Sequence, residues 1–304
     1  MRYRFVTLDV FTDRRFAGNP LAVLPEASGL EAGRMQAIAR EFGYPETVFV
    51  LPPDDPAHLA RLRIFTPALE VPFAGHPTIG TALYLARDRC CAAGPDGRVR
   101  IVLEENAGPV PVTVLFDEGR PVRAELTTPQ RPRHGPRLEQ EPVARALGLA
   151  TADLAAEGPT PCVAGAGLSF LMVELRSVDA LRRARVVDPA HLAAVLGDLE
   201  EPLLYLFTRA TGTPGIEVRA RMFAPGAGVP EDPATGSAAA ALAGLLAAAD
   251  PRTDGDLAWH IAQGIEMGRP SFLAAHALKR GGLVVEARVA GGAVTVMEGT
   301  IETA

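Results

Sequence analysis

The chain has 304 residues, 48% of them hydrophobic and 22% charged, which is material for the core of one large domain or two of ordinary size. A net charge of −6, with Lys and Arg scattered and no basic block, excludes the row of phosphate contacts on which nucleic-acid binding depends. The three cysteines, Cys90, Cys91 and Cys162, have neither metal-type spacing nor the number for a disulfide framework, and point to a reducing, cytoplasmic setting.

Residues 1–10 alternate polar and apolar side chains, which predicts a first strand and contains no secretory h-region. A surface helix is expected over 33–42, strands over 47–51 and 62–65, a helix over 79–87, and strands over 99–103, 110–116 and 122–127. The Pro- and Arg-rich stretch 128–138 marks a domain junction. Beyond it, surface helices are expected at 141–148 and 189–197, with strands at 169–175, 203–208 and 217–223. A helix over 235–249 and strands over 283–289 and 293–297 complete the chain. The helix is mostly alanine and too short to span a bilayer, so no membrane partner is expected. Strands outnumber helices and come in adjacent runs, which predicts an α+β protein with mostly antiparallel pairing. The domains are placed at 1–125 and 126–292, with a last strand at about 293–304 returning to the first.

An internal repeat organises this plan. Arg63-Ile-Phe-Thr-Pro67 is followed, after eight residues, by His76-Pro-Thr-Ile-Gly-Thr-Ala82. Arg221-Met-Phe-Ala-Pro225 is followed, after six, by Asp232-Pro-Ala-Thr-Gly-Ser-Ala238. Each copy reads strand, loop, helix. Pro77 and Pro233 suit a first helical position, which makes His76 and Asp232 the expected N-cap residues. The helices are small and apolar all round, as buried helices are, so each half is pictured as a β-sheet wrapped around a central helix. If the halves face each other, two helix N-termini converge and offer free N–H groups to a small carboxylate without a metal.

Taken singly, Asp232 reads as an ordinary cap and His76 as a loop histidine; their symmetric placement favours function. Glu46, at the entry to an apolar strand, is no better on local grounds than Glu26, Glu70, Glu104, Glu105 or Asp9. A two-base racemase of this plan needs a thiol at each helix start, and neither repeat block contains one, so the cysteines read as structural or incidental. Ala164-Gly-Ala-Gly-Leu168 lacks the pattern of a nucleotide loop.

Five segments in order resemble the PhzF-like family of phenazine biosynthesis, within the diaminopimelate-epimerase-like fold. They are residues 9–23, Glu46-Thr-Val-Phe-Val50, Arg63 to Gly80, Glu231-Asp-Pro-Ala-Thr-Gly-Ser237 and Gln263-Gly-Ile-Glu-Met-Gly-Arg-Pro-Ser271. The resemblance implies two similar domains, each a curled, mostly antiparallel sheet around a central helix, with the active site between them and a homodimer as the working form. It implies a cofactor-independent isomerase of a small unsaturated or dihydroaromatic carboxylic acid. Glu46 would be the acid/base, with Asp232 and His76 in the catalytic group. Ser237, Gly75, Gly236 and Asn19 would contact the substrate. Where the family often has Ser before that Glu, this chain has Pro45, which donates no hydrogen bond. The competing expectations are a racemase or epimerase of the same fold and a non-catalytic binding protein.

Overall fold

In the computed structural model, which describes residues 1–89, 91–196, 203–225 and 229–303, the contacts divide the chain into two units. Unit 1 is Met1–Thr127 with Ala290–Ala304, and unit 2 is Thr128–Val289. Cys90 and Gly197, the expected end of a helix, lie outside the described residues.

Unit 1 begins with β1 (Arg2–Val10) and β2 (Asn19–Leu24), an antiparallel pair. Helix α1 (Ala32–Phe42) buries Met35, Ile38 and Ala39, the i, i+3, i+4 stripe of an amphipathic helix, and ends on Gly43 in the left-handed region. It returns the chain to β3 (Glu46–Leu51), parallel to β2, and β4 (Ala60–Phe65) runs antiparallel to β3. A short β5 (Glu70–Val71) folds back on β4 before α2 (Gly75–Asp88). Then β6 (Arg98–Glu105) pairs parallel with β4, and β7 (Gly108–Asp117) and β8 (Arg120–Thr127) follow as antiparallel neighbours. Every residue of α2 from Gly75 to Ala86 is buried, because strands of its own unit surround it. At Gly80 a Cβ would stand 2.7 Å from both Leu21 and Val10, so glycine is what lets the strands approach.

Unit 2 repeats the plan. It runs β9 (Arg133–Arg137), α3 (Gln140–Ala146), β10 (Cys162–Gly165), β11 (Ser169–Glu174), α4 (Val178–Arg183), α5 (Pro189–Leu196), β12 (Leu203–Thr208) and β13 (Val218–Ala224). It continues with β14 (Val229–Asp232), α6 (Gly236–Ala249), β15 (Gly255–Gln263), β16 (Ser271–Arg280) and β17 (Leu283–Gly291), whose last two residues belong to unit 1. Pairing from β10 to β16 is antiparallel, parallel, antiparallel, parallel, antiparallel, with β14 folded back on β13, the order seen from β1 to β7. The last strand, β18 (Ala293–Glu302), belongs to unit 1 and pairs antiparallel with β1.

The wrapped helix of unit 2 explains a strand that alternation does not announce. β16 reads Ser-Phe-Leu-Ala-Ala-His-Ala-Leu-Lys-Arg, rich in residues that favour helices. Its Ala274, Ala275 and Ala277 are buried and the strand packs against the alanine-rich α6, where small side chains allow a close approach. Lys279, the one lysine of the chain, is buried at the end of β16. Its Nζ donates to the carbonyls of Ala247 (3.0 Å) and Asp250 (2.7 Å), closing the negative end of α6. Among the described residues, no helix is long and apolar enough to cross a membrane.

Candidate active site

Glu46 and His76 come together in unit 1. Pro45, which has no N–H for a ladder, precedes β3, and Glu46 opens that strand beside Leu21 of β2. His76 is the second residue of α2. Its Nε2 lies 3.3 Å from Glu46 Oε2, with the side chains 6% and 18% exposed respectively. Burial pushes the imidazole down to about 3, against a weaker opposing pull from a hydrogen bond to the Pro20 backbone. Proline has no N–H, so its carbonyl accepts, and since Nε2 makes no hydrogen bond the donor is Nδ1. The ring is therefore neutral with its proton on Nδ1, and Nε2 lies close to Glu46 Oε2 without hydrogen-bond geometry between them.

Asn19 is fully buried as the first residue of β2, two places from Leu21. The loop before it is tightly wound: Phe11, Phe16 and Gly18 have φ of 63°, 67° and 64°. Asp9 holds that loop by accepting the Phe16 N–H at 2.6 Å, and a Cβ on Gly18 would lie 2.3 Å from the Val10 carbonyl. Gly75 is the first residue of α2, whose N-cap, Ala74, carries no capping side chain.

Asp232, Gly236 and Ser237 belong to unit 2. The Asp232 carboxylate accepts the Thr235 hydroxyl at 2.5 Å. Gln263, buried at the end of β15, fastens the same loop: its Nε2 donates to the Asp232 carbonyl (2.7 Å) and Thr235 Oγ1 (3.1 Å), and its Oε1 accepts the Thr235 N–H (3.3 Å). Gly264 follows with φ 74°, and a Cβ there would lie 2.6 Å from the Pro233 carbonyl. Gly236 and Ser237 are the first two residues of α6, whose N-cap is Thr235. Tyr205 on β12 is fully buried; burial and, second, the charge of Asp232 raise its pKa, and its hydroxyl has no hydrogen-bond partner among the described residues. Thr235, Gln263 and Tyr205 escaped the sequence reading. Gln263 lies inside a motif of the family resemblance, but nothing local says that its side chain reaches back to a loop 28 residues earlier.

The expected caps need correction. His76 lies inside α2 and Asp232 ends β14, so neither is an N-cap; Ala74 and Thr235 are. Pro77 is tolerated in the third position of α2 because first-turn N–H groups have no intrahelical acceptor, while Pro233 sits in the loop held by Gln263. Helix start against helix start, Gly75 matches Gly236 and His76 matches Ser237, a register different from that of the sequence repeat.

The first block of the repeat is structurally equivalent. Arg63 grips Glu70 of β5 with Nε and NH2 at 2.8 and 2.6 Å, and its guanidinium sits 5.3 Å from the Phe65 ring. Arg221 grips Glu231 of β14 in the same way at 2.8 and 2.9 Å, over Phe223 at 4.7 Å. In both units this clamp fixes the short strand that leads to the wrapped helix. Cys162 is buried, its thiol pushed up to about 11 by desolvation, and Cys91 is partly buried. Among the described residues no group of His, Cys, Asp and Glu has the arrangement of a metal site.

Comparison with known proteins first defines the class. The fold of the chain is shared with a PhzF-family phenazine biosynthesis protein of Bacillus anthracis (TM-score 0.86, 24% identity, all of both chains). It is also shared with a hydroxyproline epimerase of Agrobacterium vitis (TM-score 0.63, 13% identity, 99% of this chain and 92% of that one). This is the α+β, diaminopimelate-epimerase-like fold. The family follows from sequence: the model of phenazine biosynthesis-like proteins matches residues 8–299. An uncharacterized isomerase of Mesorhizobium japonicum is 42% identical over 98% of both chains. The trans-2,3-dihydro-3-hydroxyanthranilate isomerase of Pseudomonas aeruginosa is 36% identical, again over 98% of both. The chain belongs to the PhzF family of phenazine biosynthesis-like isomerases.

Proposed function

We propose that this chain is a cofactor-independent isomerase that moves a proton between carbons of a small unsaturated or dihydroaromatic carboxylic acid, with Glu46 as the acid/base. The observation that carries this reading is the 3.3 Å approach of Glu46 to a buried, neutral His76. Such an imidazole brings Glu46 no positive charge and no proton, which leaves the carboxyl able to hold a proton in one half of a turnover and release it in the other.

As carboxylate, Glu46 takes a proton from a carbon α or vinylogous to the substrate's carboxyl group. The electron pair of that C–H bond delocalises through the unsaturated system, and Glu46 returns the proton to a second carbon. One C–H bond breaks, one forms, and no electrons are gained or lost. The N–H groups of Gly75 and His76, which precede the first helical bond from Thr78 to Ala74, suit a substrate carboxylate and the charge that builds up on the intermediate. The family resemblance assigns Asn19, Gly236 and Ser237 to substrate contacts and Asp232 to orienting the substrate. The name of the Pseudomonas relative supports a dihydroaromatic amino acid as the substrate class. Pro45 offers the substrate no hydrogen bond, so the preferred ring substituents differ from those of relatives with Ser there. The working form is a homodimer, which light scattering on the purified protein checks.

The test is NMR of a panel of dihydroaromatic and unsaturated carboxylic acids incubated with the enzyme in D₂O. The expected result is isomerisation of one class, with deuterium entering only at the carbon that gains the proton, as the proton held on Glu46 exchanges with solvent. A folded protein that exchanges no carbon-bound proton in any dihydroaromatic acid contradicts the reading.

A further inference from the structure

Beneath the first turn of α2 lies a carboxyl that the proposed reaction does not use. Glu105, the last residue of β6, is 7% exposed, and its Oε1 stands 2.5 Å from Thr78 Oγ1. The same hydroxyl donates to the Ala74 carbonyl at 2.6 Å. A threonine hydroxyl owns one proton. With that proton engaged by Ala74, the short contact to Glu105 needs a second, and the carboxyl is the group that can supply it. The other oxygen, Oε2, is buried without a hydrogen-bond partner among the described residues. That is tolerable for the carbonyl of a neutral acid and costly for a carboxylate.

We propose that Glu105 is a positioning residue: as a neutral acid it donates to Thr78, fixes the turn that carries Gly75 and His76, and leaves the positive end of α2 to a substrate carboxylate. The link to substrate rests on the reading of that turn under Proposed function. Burial pushes the Glu105 carboxyl up to about 8, against the smaller pull of the hydrogen bonds that the Thr78 hydroxyl and the Ala74 N–H would donate to an ionised carboxylate. The charged and titratable groups around it are engaged elsewhere. On β4, Arg61 pairs with Asp54, and Arg63 pairs with Glu70 of β5. Glu104 accepts the N–H groups of Asp54 and Asp55, His76 on α2 is neutral, and β7 meets Glu105 with Gly108. None of these groups contributes to the shift. Ionised, Glu105 would put a negative charge beneath the turn, compete for the helix end and repel the substrate.

Infrared spectra of the wild-type protein at neutral pH are expected to show the carbonyl band of a protonated carboxylic acid, lost well above pH about 8 and missing from Glu105→Gln. In ¹⁵N-labelled protein the amide signals of Gly75, His76 and Thr78 move through that range in wild type. They hold still in Glu105→Gln, whose amide group can still donate to Thr78. On the acid that turns over in the panel, KM climbs by up to about tenfold per pH unit above this range while kcat holds, and Glu105→Gln lacks the climb. A wild-type spectrum without the band, or amide shifts that survive in Glu105→Gln, overturns the neutral acid. A flat KM overturns the positioning role. If Glu105→Gln fails to fold, the wild-type band decides. Absence of any turnover counts against the proposed reaction alone, and the spectra still decide Glu105.

Discussion

A carboxyl that carries a proton between carbons works only if its neighbours leave that proton to it, and the acidic side chains of unit 1 divide on this point. Glu70 is gripped by Arg63, and Glu104 is held at about 2 by the N–H groups of Asp54 and Asp55 and by His58. Asp9 accepts the Phe16 N–H, and Glu26 stands exposed. Of these, Glu46 is the one set against a buried neutral imidazole. In sequence all of them look alike, because the partners that sort them lie 7 to 50 residues away. The neutral ring leaves its own mark on stability. His76 falls from 6.5 to about 3 on folding, so between those values the unfolded chain binds a proton that the folded protein refuses. This contribution is whole above the unfolded value and is lost as pH falls towards the folded one, by ~2 kcal/mol at pH about 5. His76→Gln cannot take that proton, and urea unfolding at neutral and mildly acid pH is expected to show a shallower loss of stability than wild type. Equal slopes would mean that the ring is not held neutral.

At the scale of elements, the repeat encodes a clamp. Arg221 does more than its counterpart Arg63: besides Glu231, its NH1 donates to the carbonyls of Leu181, Arg182 and Ala184 at the end of α4, at 2.9 to 3.2 Å. Arg221→Ala therefore leaves the partly buried Glu231 without its cation and strips the last turn of α4. A loss of about 3–5 kcal/mol in chemical denaturation is expected, larger than for Arg63→Ala, whose pair is more exposed. Equal losses would show that the α4 contacts add nothing. The strand–loop–helix order and both wrapped helices were legible in the spacing of Arg, Phe, Pro and Gly. The helix starts were not. Pro-containing turns look alike in sequence, and the loop from Asp232 to Thr235 is set by Gln263, a residue of β15. β16 was hidden by alanine, which signals helix until the helix it packs against is in place.

The whole molecule is one topology used in two units, with β18 brought back from the far end of the chain to pair with β1. That pairing spans nearly the full strand, from Arg2 opposite Glu302 to Val10 opposite Ala293. Ending the chain after Gly292 exposes the edge of β1, and hydrogen exchange is expected to show protection lost across β1 and β2; unchanged protection there would make β18 dispensable. The family was legible because its motifs are spread along most of the chain, whereas the sorting of one carboxyl from its neighbours needed the fold. The central claim is that Glu46 carries the proton, and Glu46→Gln, tested in D₂O on whichever acid the wild type isomerises, addresses it most directly. The account predicts a fall in rate of about 10²–10⁴-fold with the protein still folded. A variant that isomerises and incorporates deuterium at the wild-type rate would contradict it.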